Sequence, residues 1–419
     1  MRFATSAVTA TESRASSTRA SERLASWLLR RGLVQRQSLL RALAISQTQG
    51  KPFTIVAEDE ARVPHDTLVD AGRGLATALA SRILREHCVV FRFDQTWPVT
   101  ERLHVDLELD CPKLMMEAAF RADTRPPLDQ VAETPLTTLD PDTVETLFWQ
   151  TIEDLEGELV DAGALASAHT TLLALGELLQ RWVTQGPPLL PLGPQDAARV
   201  TRRLAAGEAV RLEDSPTLTW DLLSLVNGLD APGFSRAAGA DEAWTMAGDD
   251  AALLVRLILE NSRWRRTRRG DIDDSLRRAT LTRAAAGAAL APHVGLSPDV
   301  AATAAALPVV LLELVATALT TTPLASPAMQ RSALRRLLPL VGHAAGTAAG
   351  LPEVLLAALT GESPERPGAR VARWAALVAP DAGMNVLYDE SEEFFDLDLA
   401  PALAAARAAA HRAADAPLD

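Results

Sequence analysis

The sequence predicts a mainly α protein: a small N-terminal α+β module with a short β-hairpin, followed by an all-helical bundle. Three observations carry that expectation. Apolar residues recur at helical spacing along most of the chain. Proline and glycine cut this pattern into short pieces, which suits a bundle of many helices. One run alone, Cys88 to Phe93, has the β-branched and aromatic composition of a strand, and an alternating run follows close behind it.

Residues 1–20 are rich in Ser, Thr and Ala and lack an apolar stretch, so a disordered leader is expected and not a signal peptide. The α+β module spans 21–125. It opens with Arg23 to Ala44, where Leu24, Trp27, Leu28, Leu39, Leu40 and Leu43 suit two short amphipathic helices broken at Gly32. The outline of Leu24 to Leu39 returns from Phe53 to Leu68, with Val56-Ala57, Asp59-Glu60, Ala61 and Val63 in matching places. Each copy should be a helix, a tight turn and a second helix. The strand Cys88 to Phe93 is bounded by Asp94 and Pro98, and His104 to Leu109 alternates cleanly enough to pair with it. Lys113 to Arg121 then reads as a helix.

A linker with connecting helices covers 126–187. Thr124 to Asp142 is rich in Pro, Thr and Asp, and helical pattern resumes from Val144 to Val183 until Gly186-Pro187-Pro188. The all-helical domain runs over 188–381. Its most apolar stretch, Ala301 to Leu319, is interrupted by Pro308 and Glu313, which predicts a buried helix and no membrane insertion. Residues 382–419 combine an acidic, aromatic segment, Tyr388 to Asp396, with an Ala-rich helix.

Charge narrows the function classes. The 419 residues carry 41 basic and 54 acidic side chains, a net of −13, a field that disfavours nucleic-acid binding. Two cysteines, Cys88 and Cys111, make neither a disulfide framework nor a Cys-rich zinc site, and a reducing cytoplasm is the expected compartment.

Three stretches resemble known bacterial families. Arg23-Leu24, Leu28, Gly32, Leu39 and Leu43 resemble the helical repeat in the N-terminal domain of type II secretion and type IV pilus ATPases, some of which bind cyclic di-GMP. That resemblance makes Arg23, Leu24, Leu28, Gly32 and Leu39 a candidate nucleotide face. Phe91-Arg92-Phe93 followed by Leu114-Met115-Met116-Glu117-Ala118-Ala119 resembles the end of a PATAN domain, a module regarded as an interaction domain in bacterial signalling. From Pro188 to Asp381 the chain resembles an HDOD domain, an all-helical relative of HD-type phosphohydrolases that has typically lost its metal site. Asp214-Ser215-Pro216-Thr217-Leu218, Leu222 to Gly228, and Gly342 through Glu353 carry that likeness. Pro308-Val309 stands at the His-Asp position, and Leu311 stands where the family has glycine.

Direct chemical signals are weak. HD-type hydrolysis needs metals held by several His and Asp side chains. The seven histidines, at 65, 87, 104, 169, 293, 343 and 411, never fall at i,i+3 or i,i+4 from one another. The pair His65-Asp66, just after Pro64, reads as a helix start. Gly233-Phe234-Ser235-Arg236-Ala237 lacks the second glycine of a nucleophile elbow, and no Walker or Rossmann loop is present. Gly342, Gly346 and Gly350 should form a smooth stripe for close helix packing. Five arginines surround one tryptophan in Arg263-Trp264-Arg265-Arg266-Thr267-Arg268-Arg269, a candidate partner surface. Phe394 and Phe395, flanked by carboxylates, form a second one.

The function expected is a signalling adaptor without catalytic activity or cofactor, binding other signalling or motility proteins. A cyclic di-GMP effector and a cryptic HD-type phosphohydrolase are the alternatives.

Overall fold

The computed structural model describes residues 24–85, 111–124, 192–229, 235–264, 270–318, 339, 341–361, 365–379 and 400–415. Over these residues the protein is mainly helical, with no strand among them. The expected hairpin, Cys88 to Leu109, lies outside the described residues, as do the linker, its connecting helices and the acidic segment.

The N-terminal repeat is two helix–turn–helix units. In the first, α1 (Leu24–Arg30) leads through residues 31–35 to α2 (Arg36–Gln49). In the second, α3 (Phe53–Asp59) leads through residues 60–64 to α4 (His65–Arg85). The two turns are similar, with the hydrogen-bonded loop of the second one residue longer. Gly32 takes a left-handed conformation at φ 65° after α1, and Arg62 takes one at φ 52° after α3. Leu33 N–H donates back to the Leu28 carbonyl, and Val63 N–H donates back to that of Ala57, so both helix ends are closed by the turn itself. α1 packs on α4 and on α2, and α3 packs on α2, which places Leu24, Leu28, Leu39, Phe53, Val56 and Leu68 in one core. His65 opens α4, and its Nδ1 lies 2.6 Å from a Glu58 carboxylate oxygen that accepts the hydrogen bond, with Asp66 in the first helical turn. α5 (Cys111–Thr124) then lies along α4.

The second body of helices begins with α6 (Pro194–Ala205) and α7 (Pro216–Asn227), each with proline in its first turn. Ser215 caps α7 by accepting from Leu218 N–H, and every residue of α7 is buried. α8 (Ala240–Ala247) is followed by a 3₁₀ turn at Gly248–Asp250 and α9 (Ala251–Trp264). Two long helices, α10 (Gly270–Val294) and α11 (Pro298–Ala318), are joined by a three-residue turn with Gly295 at φ 71°. A helical stretch at 341–348 precedes α12 (Glu353–Thr360) and α13 (Pro367–Val378), and α14 (Ala400–Asp415) closes the described chain against α10.

Small residues set the spacing of these helices. Cβ atoms added at Gly342 and Gly346 would lie 2.8 Å from the Leu359 carbonyl oxygen and 2.5 Å from a Leu356 methyl group, so these glycines do admit a neighbouring helix. Gly350 departs from the stripe: it sits at φ 69° and ends its helix. The buried face of α14 is Ala402, Ala406 and Ala410 at i, i+4 and i+8, and Arg278 donates to its Ala414 carbonyl.

The two helical bodies share one hydrophobic core. Leu24, Leu39 and Leu40 belong to the same cluster as Leu223, Leu254 and Leu290. Polar contacts from the first repeat unit cross the seam between them. Ser26 Oγ donates to the Gly228 carbonyl at 3.5 Å, and Arg36 Nη1 donates to the Met246 carbonyl at 2.6 Å. Arg41 makes a two-pronged bond to Asp250, at 2.9 and 2.6 Å. Burial of Arg36 lowers its pKa, whereas the Asp250 carboxylate raises that of Arg41.

Candidate functional site

Three arrangements on this scaffold carry chemistry. The first is a buried ionic cluster where α6, the start of α7 and α10 meet. Asp196, in the first turn of α6, receives Arg199 Nη2 at 2.8 Å and lies 2.6 Å from Arg277 Nε of α10. Ser215 also hydrogen-bonds to Asp196. Burial pushes the Asp196 carboxyl up to about 6, partly offset by Arg199 and by Ser215. Next to it, Asp214 accepts from Arg203 Nε at 3.2 Å and from Arg211 N–H at 2.9 Å. The side chains of Asp196 and Arg277 are 7% and 9% exposed, so this is an interior ion pair and not a surface one. It ties α6 to α10 through two charged side chains held almost wholly out of solvent.

The second arrangement is the place where the HDOD resemblance would put metal ligands. Pro308, Val309 and Leu311 are all buried there, inside α11. One turn earlier, a Cβ on Gly287 of α10 would stand 2.5 Å from the Ala301 carbonyl oxygen and 2.6 Å from Ala305 Cβ. The two helix backbones are therefore in direct contact, with aliphatic packing around them. Among the described residues no group of three or more His, Cys, Asp or Glu side chains is placed to hold a metal ion.

The third arrangement is on α5. Leu114 and Ala118 bury against α4, whereas Met115, Met116 and Phe120 are 40%, 72% and 67% exposed. Met116 and Phe120 are four residues apart and lie nearly opposite Leu114 and Ala118 on the helical wheel. Leu84, near the end of α4, is also 45% exposed. A helix apolar on two opposite faces is built to be covered on both.

The residues nominated from sequence separate into three groups. Leu24, Leu28 and Leu39 are core side chains at 4%, 0% and 0% exposure, and Gly32 is the exposed turn glycine with open space beside it. The solvent-facing groups near them are different: Arg30 and Arg31 lie over the Trp27 ring at 5.7 and 5.1 Å from its centre. Arg263 and Trp264 are the last two residues of α9. Arg23, Arg265, Arg266, Phe394 and Phe395 lie outside the described residues. Sequence reasoning did not single out Arg36, Arg41 or Asp250 as a seam, nor the Asp196–Arg277 pair, because each joins residues far apart in the chain.

No family model, no curated protein and no solved structure matches this chain. Among the described residues no helix is long and apolar enough to cross a membrane.

Proposed function

We propose that the protein is a non-catalytic signalling adaptor that works by binding other proteins. The observation that carries this reading is the outer face of α5, where Met115, Met116 and Phe120 stand exposed on a helix already buried on its other side. Apolar patches of this kind mark partner sites, and methionine lets such a surface adapt to the partner. The PATAN resemblance, with its hairpin leading into this helix, supports the same use. The HDOD-like reading of the helical bundle goes with it, and the sealed α10–α11 contact supports a bundle used for binding and not for hydrolysis.

Affinity capture from an extract of the native host tests the reading. The wild-type protein should retain a defined partner, and Met116→Glu combined with Phe120→Glu should lose it at unchanged melting temperature. Capture of the same proteins by both forms would remove α5 as the docking surface.

A cyclic di-GMP effector is the second reading. Burial of Leu24, Leu28 and Leu39 leaves the Trp27, Arg30 and Arg31 cluster beside Gly32 as the side chains able to meet a nucleotide there.

A further inference from the structure

Charge in the first repeat unit runs against that of the whole chain. No Asp or Glu occurs between Glu22 and Glu58, whereas Arg23, Arg30, Arg31, Arg36, Arg41 and Lys51 all fall there, in a chain of net −13. Two of these cations serve the seam: Arg36 donates to the Met246 carbonyl and Arg41 pairs with Asp250. Arg30 and Arg31 point the other way, because residues 30–33 are exposed in succession at the turn after α1. Both guanidinium groups lie over the half-buried Trp27 ring, at 5.7 and 5.1 Å from its centre, and Arg30 Nε also donates to the Ser26 carbonyl at 3.4 Å. The ring is itself lodged on α4, where a Cβ on Gly74 would stand 3.2 Å from it. The two charges are therefore held in place by the ring beneath them.

The tip of this turn is apolar. Leu33 follows the left-handed Gly32 and is 52% exposed. In the similar turn after α3, Val63 follows the left-handed Arg62 and is buried at 4%. Turn geometry alone thus does not force Leu33 into solvent. The second turn is also flanked by Glu58, Asp59 and Glu60, where the first has Arg30 and Arg31. A Cβ on Gly32 would meet nothing within 4 Å, so the tip stands in open space. A projecting tip suits a flat partner better than a small ligand, which needs walls around it. An exposed leucine, two fixed guanidinium groups and a tryptophan beside them match the apolar and phosphate layers of a lipid interface.

We propose that the turn between α1 and α2 docks this protein on an anionic lipid surface. Leu33 enters the headgroup layer, and Arg30 and Arg31 meet lipid phosphates. The acidic remainder of the chain is repelled by such a surface, so the protein approaches it turn first. This attachment is peripheral and does not depend on the α5 surface. It gives the turn a planar partner in place of the nucleotide of the second reading.

Co-sedimentation of the full chain with vesicles is the test. Wild type should bind vesicles of phosphatidylcholine mixed with phosphatidylserine, and should not bind phosphatidylcholine alone. Binding should fall away near 1 M salt, where the screening length is about 3 Å. Each cation at such a surface is worth roughly a fivefold gain in partitioning, so Arg30→Gln with Arg31→Gln should lose roughly thirtyfold. Leu33→Ser should lose about tenfold. Both variants change exposed side chains and should melt with the wild type. Lys51→Gln removes an exposed cation beyond the other end of α2 and should bind as the wild type does. A wild type that ignores the anionic vesicles overturns the proposal. Equal binding to both kinds of vesicle overturns it too, as does binding that survives the arginine and leucine changes. A protein partner lost with Arg30→Gln and Arg31→Gln, without any vesicle binding by the wild type, would assign the turn to an acidic protein instead.

Discussion

Asp196→Ala should cost about 3–5 kcal/mol of folding free energy at pH 7.5, measured as a shift in urea midpoint at constant slope. Asp196 lies 2.8 Å from Arg199 Nη2 and 2.6 Å from Arg277 Nε, and Arg277 is itself interior. Its removal takes a buried carboxylate away from both guanidinium groups at the root of α6. The pH dependence has a definite sign. The Asp196 carboxyl titrates at about 6 when folded, against an ordinary value of 3.8. The folded state therefore binds this proton more tightly than the unfolded chain does. The stabilisation that comes from taking up this proton is fully present below the unfolded value and is lost as pH rises through 6, where the ion pairs of the carboxylate remain. Between pH 4 and 6 the wild type should gain stability on acidification relative to Asp196→Asn, by up to roughly 1.4 kcal/mol per pH unit. Parallel stability–pH curves for the two proteins would show that Asp196 does not titrate in this window.

The second large effect is expected at Gly287. Substitution by alanine gains about 1 kcal/mol of intrinsic helix propensity. That gain is outweighed, because the new methyl group would stand 2.5 Å from a backbone oxygen and 2.6 Å from Ala305 Cβ, neither of which can swing aside. Moving α10 away from α11 disturbs the longest helix pair in the bundle, and a net loss of about 3 kcal/mol follows. Gly193→Ala is the control, since nothing lies within 4 Å of the site of its added Cβ. It should change stability by no more than about 0.5 kcal/mol. Equal effects at the two positions would mean that α10 and α11 are not in backbone contact.

These two sites show which parts of the structure were legible in the sequence. Local signals located the helices well. The Gly32 break, the repeat from Phe53, the helix start at His65 and the proline-interrupted apolar helix around Pro308 are all written within a few residues of where they act. α5 was expected over Lys113 to Arg121 and spans Cys111–Thr124. What could not be read was contact between distant segments. Arg36 and Arg41 look like ordinary solvent-facing cations of an amphipathic helix, because periodicity distinguishes polar from apolar faces but not a solvated polar face from a docked one. Asp196 and Arg277 mislead in the same way, since charged residues are expected outside and these are interior only because they meet. The glycine stripe was half right for a related reason: Gly342 and Gly346 admit a helix, whereas Gly350 is spent on a left-handed helix end. Nominating Leu24, Leu28 and Leu39 as a ligand face from resemblance named residues that also hold the first unit to its core.

The most direct measurement is thermal unfolding of the full chain with and without magnesium, manganese, zinc, common nucleotides and cyclic di-GMP. A ligand of the native state at about a hundred times its dissociation constant raises stability by roughly 2.7 kcal/mol, a readily visible shift. A bundle whose α10–α11 contact is sealed by Gly287, Ala301 and Ala305 should show no shift with any of the three metals, whereas a shift with cyclic di-GMP alone would favour the second reading. A shift with a divalent metal, reversed by chelation and accompanied by phosphodiesterase turnover, would contradict the non-catalytic reading.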